Sequence, residues 1–220
     1  MLVTRTPLEC LPAADLARLI TLVIENMGAR VLLGRDRENL CRRALPREMA
    51  GLGGFEWVIE SEGLPNLVHE IVHALFLGRL ADDHGFDYGQ IPLDLALPEH
   101  RRHLWEELTC CVLSTVICAP LEDDPESFAC DWFAEQFEIQ GVFHGLERDL
   151  VAFRAHIQAQ LEIAEHRAEL LETVARGRAL LIQALATVGF MAELPQCDVL
   201  AIWDRYRASW SGDVPGVARL

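Results

Sequence analysis

The chain has 220 residues, a length that suits one domain, and its 51% apolar content can fill a sizeable core. Nineteen basic residues face 34 acidic ones, a formal net charge of −15, so phosphates would meet a negative field and a nucleic-acid partner is disfavoured. All 19 basic residues are arginine, and the absence of lysine excludes Schiff-base chemistry, a P-loop lysine and a lysine general base.

The pattern is mainly helical. Leu16, Leu19, Ile20, Val23 and Met27 recur at helical spacing across residues 13 to 33. A second, charged helix is expected from Arg35 to Met49, interrupted near Pro46. Gly51, Gly53 and Gly54 break the pattern, and residues 55 to 60 alternate as a short strand. Gly63-Leu64-Pro65-Asn66 then reads as a helix start with Asn66 as the N-cap, and this helix runs from about Leu67 to Leu80. Asp82-Asp83-His84-Gly85 ends it. After a loop carrying Pro92 and Pro98, residues 99 to 119 form a helix stopped by Pro120. Asp123-Asp124-Pro125 starts another, rich in aromatic residues. From Leu146 to about Val188 a long helical stretch places Leu150, Phe153, Ile157, Leu161, Ala164, Ala168 and Leu171 along a coiled-coil-like seam. That seam packs either along its own domain or across a homodimer, and Gly177 is the expected bend. A last helix covers about 196 to 209. The fold class expected is a single mainly α domain over residues 1 to 220, with a small β element before the helix at 67.

No uninterrupted apolar run of membrane-spanning length is evident, and no basic-then-apolar start resembles a signal peptide, so a cytoplasmic protein without a membrane partner is expected. The bias toward arginine and alanine points to a GC-rich bacterial genome. The seven cysteines (Cys10, Cys41, Cys110, Cys111, Cys118, Cys130 and Cys197) are odd in number and form no CxxC. That argues against a disulfide framework or a zinc ribbon, and they read mostly as small buried hydrophobes.

One segment carries chemistry: Leu67-Val68-His69-Glu70-Ile71-Val72-His73-Ala74-Leu75. The two histidines of this HExxH are four residues apart, so on a helix they stand one turn apart on one side and both imidazoles reach a single metal ion. Glu70 lies about 100° around the helix from His69, beside the ion and not on it, where it can accept a proton from metal-bound water. The rest of the helix is apolar on all sides and should be buried. Two histidines and a glutamate inside a core are unfavourable without partners, and a metal with its water would satisfy all three. Ordinary hydrogen-bonded core histidines beside a salt-bridged glutamate are the bland alternative.

This segment resembles the active-site helix of the zincin metallopeptidases. The resemblance implies that His69 and His73 bind Zn2+ and that Glu70 is the general base, and the strand at 55 to 60 matches the edge strand zincins place beside the cleft. A metzincin would need a histidine where Arg79 stands, so that branch is excluded. The gluzincin branch takes a glutamate from a downstream helix, for which His103-Leu104-Trp105-Glu106-Glu107-Leu108 offers two. The apolar face set by Leu104, Leu108, Cys111, Val112, Thr115 and Ala119 puts Glu107 near its edge and Glu106 toward solvent. Glu107 is therefore the expected third metal ligand, with Glu106 or a histidine such as His84 as alternatives. Cys110 and Cys111 stand where gluzincins continue with an acidic residue. His100, His103, His84 and Tyr88 are candidate oxyanion donors, and Asp82, Asp83 and Asp87 candidate anchors for the histidine rings.

Three functions compete. The first is a zinc-dependent hydrolase, a peptidase or amidase acting on a peptide or small amide, with Glu70 activating a metal-bound water. The second is a non-haem iron oxygenase, in which two histidines and a carboxylate hold Fe2+ and the substrate is a peptide or amino acid. The third is a non-catalytic zincin-like module that binds peptides.

Overall fold

The computed structural model describes residues 5–83, 94–145 and 149–209, without the side chains of 142 and 143. Two residues, Thr6–Pro7 (β1), precede the first helix, Ala13–Asn26 (α1), whose Leu16, Leu19, Ile20, Val23 and Ile24 are buried. The helix expected to continue to residue 33 stops here. Gly28 turns the chain at φ +96, in the left-handed region that glycine favours, and Ala29–Leu33 runs on as a strand (β2). The helix expected from Arg35 to Met49 is likewise replaced by a strand, Leu40–Arg43 (β3), followed by turns. Both segments take their conformation from a partner outside their own sequence window, the strand Trp57–Ser61 (β4).

The sheet order is β2-β4-β3. β2 is parallel to β4, with Ala29 opposite Trp57 and Leu33 opposite Ser61, while β3 is antiparallel, with Leu40 opposite Glu60 and Arg43 opposite Trp57. Arg42 is buried on β3 because two carboxylates receive its guanidinium, Glu60 at 2.8 Å and Glu48 at 2.9 Å. The outer edge of β3 is covered by the residues that follow the next helix: the Cys41 N–H donates to Asp83 Oδ2 at 2.7 Å, and the Asp83 N–H donates to the Cys41 carbonyl at 2.9 Å.

That helix, Leu64–Leu77 (α2), starts after Gly63 with proline in its first turn, where a missing N–H removes no helical bond. Asn66, expected as its cap, is instead buried inside it and donates to Glu62 at 3.1 Å. Gly78, at φ +63, closes the helix by donating to the Leu75 carbonyl. Pro98–Cys118 (α3) lies alongside α2 and is buried on most of its circumference, because it joins two cores. Cys110, Leu113 and Ile117 face a core shared with α1 and α2, while Leu104, Trp105, Leu108 and Val112 face a second one. Its hydroxyls are made harmless by bonding back one turn, Thr109 to the Trp105 carbonyl at 2.7 Å and Thr115 to the Cys111 carbonyl at 2.7 Å. Over Pro98–Leu121 the chain is long and apolar enough to cross a membrane by length and composition, contrary to the expectation that no such run exists, and 72% of that window is buried inside the fold.

Pro125–Phe143 (α4), Leu150–Glu162 (α5) and Val199–Ser209 (α7) enclose the second core. Phe137 packs there against Phe153 and Trp203, with both ring centroids at 5.1 Å. The stretch expected as one helix bending at Gly177 is two helices, α5 and Ala164–Thr187 (α6), separated at the extended residue Ile163. Phe153, Ile157 and Leu161 of the expected seam are buried within the chain, but Leu171 is exposed; Leu170 and Val174 face inward instead. Gly177 lies mid-helix, where a Cβ would stand 2.7 Å from the Thr109 methyl and 3.0 Å from the Phe76 ring. The missing side chain is what lets α6 press onto both α2 and α3. A two-residue strand, Ala192–Glu193 (β5), pairs with β1. The result is a mainly helical fold carrying a small sheet.

Candidate metal centre

Helical spacing places His69 and His73 on one side of α2, and close packing brings α3 against that side. Their Nε2 atoms are 3.0 Å apart. Glu107 of α3 brings Oε2 to 3.0 Å from His73 Nε2 and 3.9 Å from His69 Nε2. Tetrahedral coordination with bonds of about 2.0–2.1 Å spaces its donors roughly 3.3–3.4 Å apart, and the three observed separations bracket that value. Cys110, one turn beyond Glu107, places its sulfur within 4.8 Å of both histidine donors.

Hydrogen bonding satisfies this cluster only in part. His73 Nε2 carries at most one hydrogen, yet it faces both His69 Nε2 and the Glu107 oxygen at 3.0 Å. His69 is 6% exposed, and its Nδ1 is buried with no hydrogen-bond partner. A divalent cation among three converging lone pairs would resolve the conflict at Nε2, and the donor set of two imidazoles and a carboxylate suits zinc or iron.

The electrostatics follow from burial. Desolvation, with help from the neighbouring His73, drops His69 to about 3, so its imidazole is neutral and free to ligate at physiological pH. Burial would lower His73 as well, but Cys110 and the Glu107 carboxylate 3.0 Å away outweigh that and hold it well above the ordinary range. Glu107 is raised by burial and lowered more by His73, His69 and Gln140, and ends below its usual value. Gln140 of α4 donates to Glu107 Oε2 at 3.0 Å and fixes the carboxylate from behind. Glu70 is pushed up to about 7, first by burial and then by the like charges of Asp83 and Glu107, against the pull of His73. Its carboxyl is thus poised to exchange a proton near neutrality. Burial lifts the Cys110 thiol to about 11.

The sequence-predicted residues divide clearly. His69, His73 and Glu107 converge, and Glu70 stands on the next residue of α2, where the charges of His73 and Glu107 act on its carboxyl. Glu106 does not point to solvent as expected: it is only 15% exposed and pairs at 3.5 Å with Arg176 of α6, away from the histidines. His103 is exposed, and His100 accepts from the Asp94 N–H at 3.2 Å, so neither faces the cluster through these contacts. Asp83 and Asp82 bond backbone N–H groups of β3 and do not bond the imidazoles in any observed contact. His84, Asp87 and Tyr88 lie outside the described residues. Two participants were missed. Cys110 was read as a small hydrophobe, although its spacing of three from Glu107 puts it on the same face. Gln140 carries no signal in the sequence, since 33 residues separate it from the carboxylate it holds.

Comparison with protein-family models, with curated proteins and with solved structures returns no match to this chain.

Proposed function

We propose that this chain is a metal-dependent hydrolase of peptide or small amide bonds, with His69, His73 and Glu107 holding zinc and Glu70 acting as general base. The observation that carries the reading is the convergence of three donors from two helices, at 3.0 to 3.9 Å, beside a carboxyl whose proton affinity lies near pH 7. A bound zinc ion would supply Lewis acidity, making water a nucleophile at neutral pH and polarising the scissile carbonyl. Glu70 takes the proton released from water in the site and returns it to the leaving nitrogen. Gln140 keeps Glu107 turned toward the histidines, and neutral His69 presents a lone pair and not a charge. The order of an HExxH helix and a downstream helical glutamate supports a zincin-like arrangement, whereas the strand before it, β4, is the central strand of its sheet and not the expected edge strand.

A second reading is favoured by the donors lying on one face: two imidazoles from α2 and one carboxylate from α3 are also the facial set of non-haem iron oxygenases. Metal analysis of the purified chain followed by assays on peptide and amide panels separates the two. Hydrolysis by the zinc form, with Glu70→Gln retaining metal but losing at least about 100-fold in turnover, is the expected result. Undiminished hydrolysis by Glu70→Gln would end the general-base assignment, and oxygen-dependent modification by the iron form would establish the second reading.

A further inference from the structure

A zinc site that performs hydrolysis normally holds three protein donors and leaves one position for water. Here a fourth potential protein donor lies close to the two histidines. Cys110 is fully buried, belongs to the same face of α3 as Glu107, and brings its sulfur within 4.8 Å of both histidine donors. Around it Cys111, Leu113 and Thr109 are also buried.

We infer that Cys110 is a fourth metal ligand, whose thiolate closes the centre into a two-histidine, one-glutamate, one-cysteine shell and so competes with water for the position that hydrolysis needs. On coordination the S–H bond breaks, a sulfur–metal bond of about 2.3 Å forms, and one proton leaves to solvent. From a separation of at most 4.8 Å, the sulfur has to approach the histidine donors by no more than about 1 Å to reach tetrahedral spacing, a distance a single side-chain rotation covers. Two consequences follow. The soft thiolate makes the site selective for zinc and cobalt over magnesium, calcium and manganese. The closed shell is a resting form, and a substrate carbonyl or water enters only where the sulfur withdraws.

This inference rests on the proposed metal site, and the experiment keeps the two apart. The full-length, reduced, metal-free protein is titrated with Co2+, with binding counted by equilibrium dialysis and the coordination sphere followed by absorption. The expected result is one bound cobalt with visible d–d bands of a four-coordinate centre and an intense near-ultraviolet thiolate-to-cobalt charge-transfer band. Cys110→Ser should bind cobalt without that charge-transfer band, and its zinc affinity should fall on the order of tenfold or more. Cobalt bound stoichiometrically by the unmodified chain with no charge-transfer band overturns the Cys110 assignment and leaves the metal site standing. A band that survives in Cys110→Ser overturns it too, by placing another cysteine on the metal. Absence of cobalt binding, or binding unaffected by His69→Ala, overturns both readings together.

Discussion

Glu70→Gln should make the metal-free protein more stable at alkaline pH, and the gain can be worked from the site. Glu70 is carried from 4.5 to about 7 chiefly by burial. Across that window the folded chain keeps a proton that the unfolded chain has released, so unfolding releases it and stability falls as pH rises. At about 1.4 kcal/mol per pH unit the loss totals about 3 kcal/mol, complete above pH 7 and absent below 4.5. Glutamine fills the same space and never ionises. The variant should therefore match the parent at pH 4.5 and exceed it by up to about 3 kcal/mol at pH 8. For a chain of this size that is roughly 6–12 °C in melting temperature. Thermal melts in excess chelator at the two pH values measure it. A difference that is the same at both, or one favouring glutamate at pH 8, would refute the claim that Glu70 is an uncompensated buried carboxyl. Added zinc should narrow the gap, because a nearby dication stabilises the carboxylate. The same substitution that strengthens the fold would abolish the proposed hydrolysis.

Other consequences are separable from that one. Gly177→Ala drives a Cβ to 2.7 Å from the Thr109 methyl; overpacking of about 1–3 kcal/mol outweighs the roughly 0.5–1 kcal/mol regained in helix propensity, so the melting temperature should drop by several degrees, and Thr109→Ser, which deletes that methyl, should recover most of it. An unchanged melt for Gly177→Ala would mean that α6 does not press on α2 and α3 at this point. Glu107→Gln removes a direct ligand and should weaken zinc binding by at least about 100-fold, whereas Glu106→Gln breaks only an exposed-partner ion pair worth less than about 1 kcal/mol; equal losses in a zinc titration would contradict the geometry. Gln140→Leu removes the 3.0 Å bond to Glu107 and should cost about 10–100-fold in zinc affinity with the far-ultraviolet spectrum unchanged, and full affinity would show that Gln140 does not orient the carboxylate.

What the sequence made legible was the part governed by local periodicity. α2 was visible because apolar residues surround three polar ones at fixed helical offsets, and Glu107 was separable from Glu106 because a single residue step turns a helix by about 100°. The direction of Glu107 followed from that rotation, but the destination of Glu106 did not. It points toward α6, a helix some 70 residues away in the chain, and only tertiary structure brings Arg176 to it. The same reason explains β2 and β3. Residues 29 to 33 carry enough apolar side chains to continue a helix, and the strand wins because β4 offers a parallel partner along its whole length. Gly177 was noticed for the right residue and the wrong property. Its lack of a Cβ serves a close helix crossing and not a bend, while the break falls at Ile163, whose backbone is extended.

The distribution of unsatisfied chemistry argues for where function lies. Elsewhere in the core several buried polar groups have found partners. Arg101 is 4% exposed and bonds Glu169 at 2.6 and 2.9 Å and the Leu95 carbonyl at 2.7 Å, and the Trp132 indole donates to Ser114 at 2.9 Å. At the centre of α2 the pattern reverses. Two imidazole nitrogens face each other at 3.0 Å, one carboxyl is lifted to about 7, and His69 Nδ1 has no partner. Trp105 Nε1 and His156 Nε2 are also buried without partners, but each is a single donor or acceptor with no like group crowding it in the observed contacts. Among the described residues, only the α2–α3 junction gathers competing lone pairs, a proton-poised acid and an orphaned nitrogen within one turn. A fold that tolerates this concentration of conflict in one place gains by it only if something outside the chain resolves it. The donors present are those a divalent cation takes.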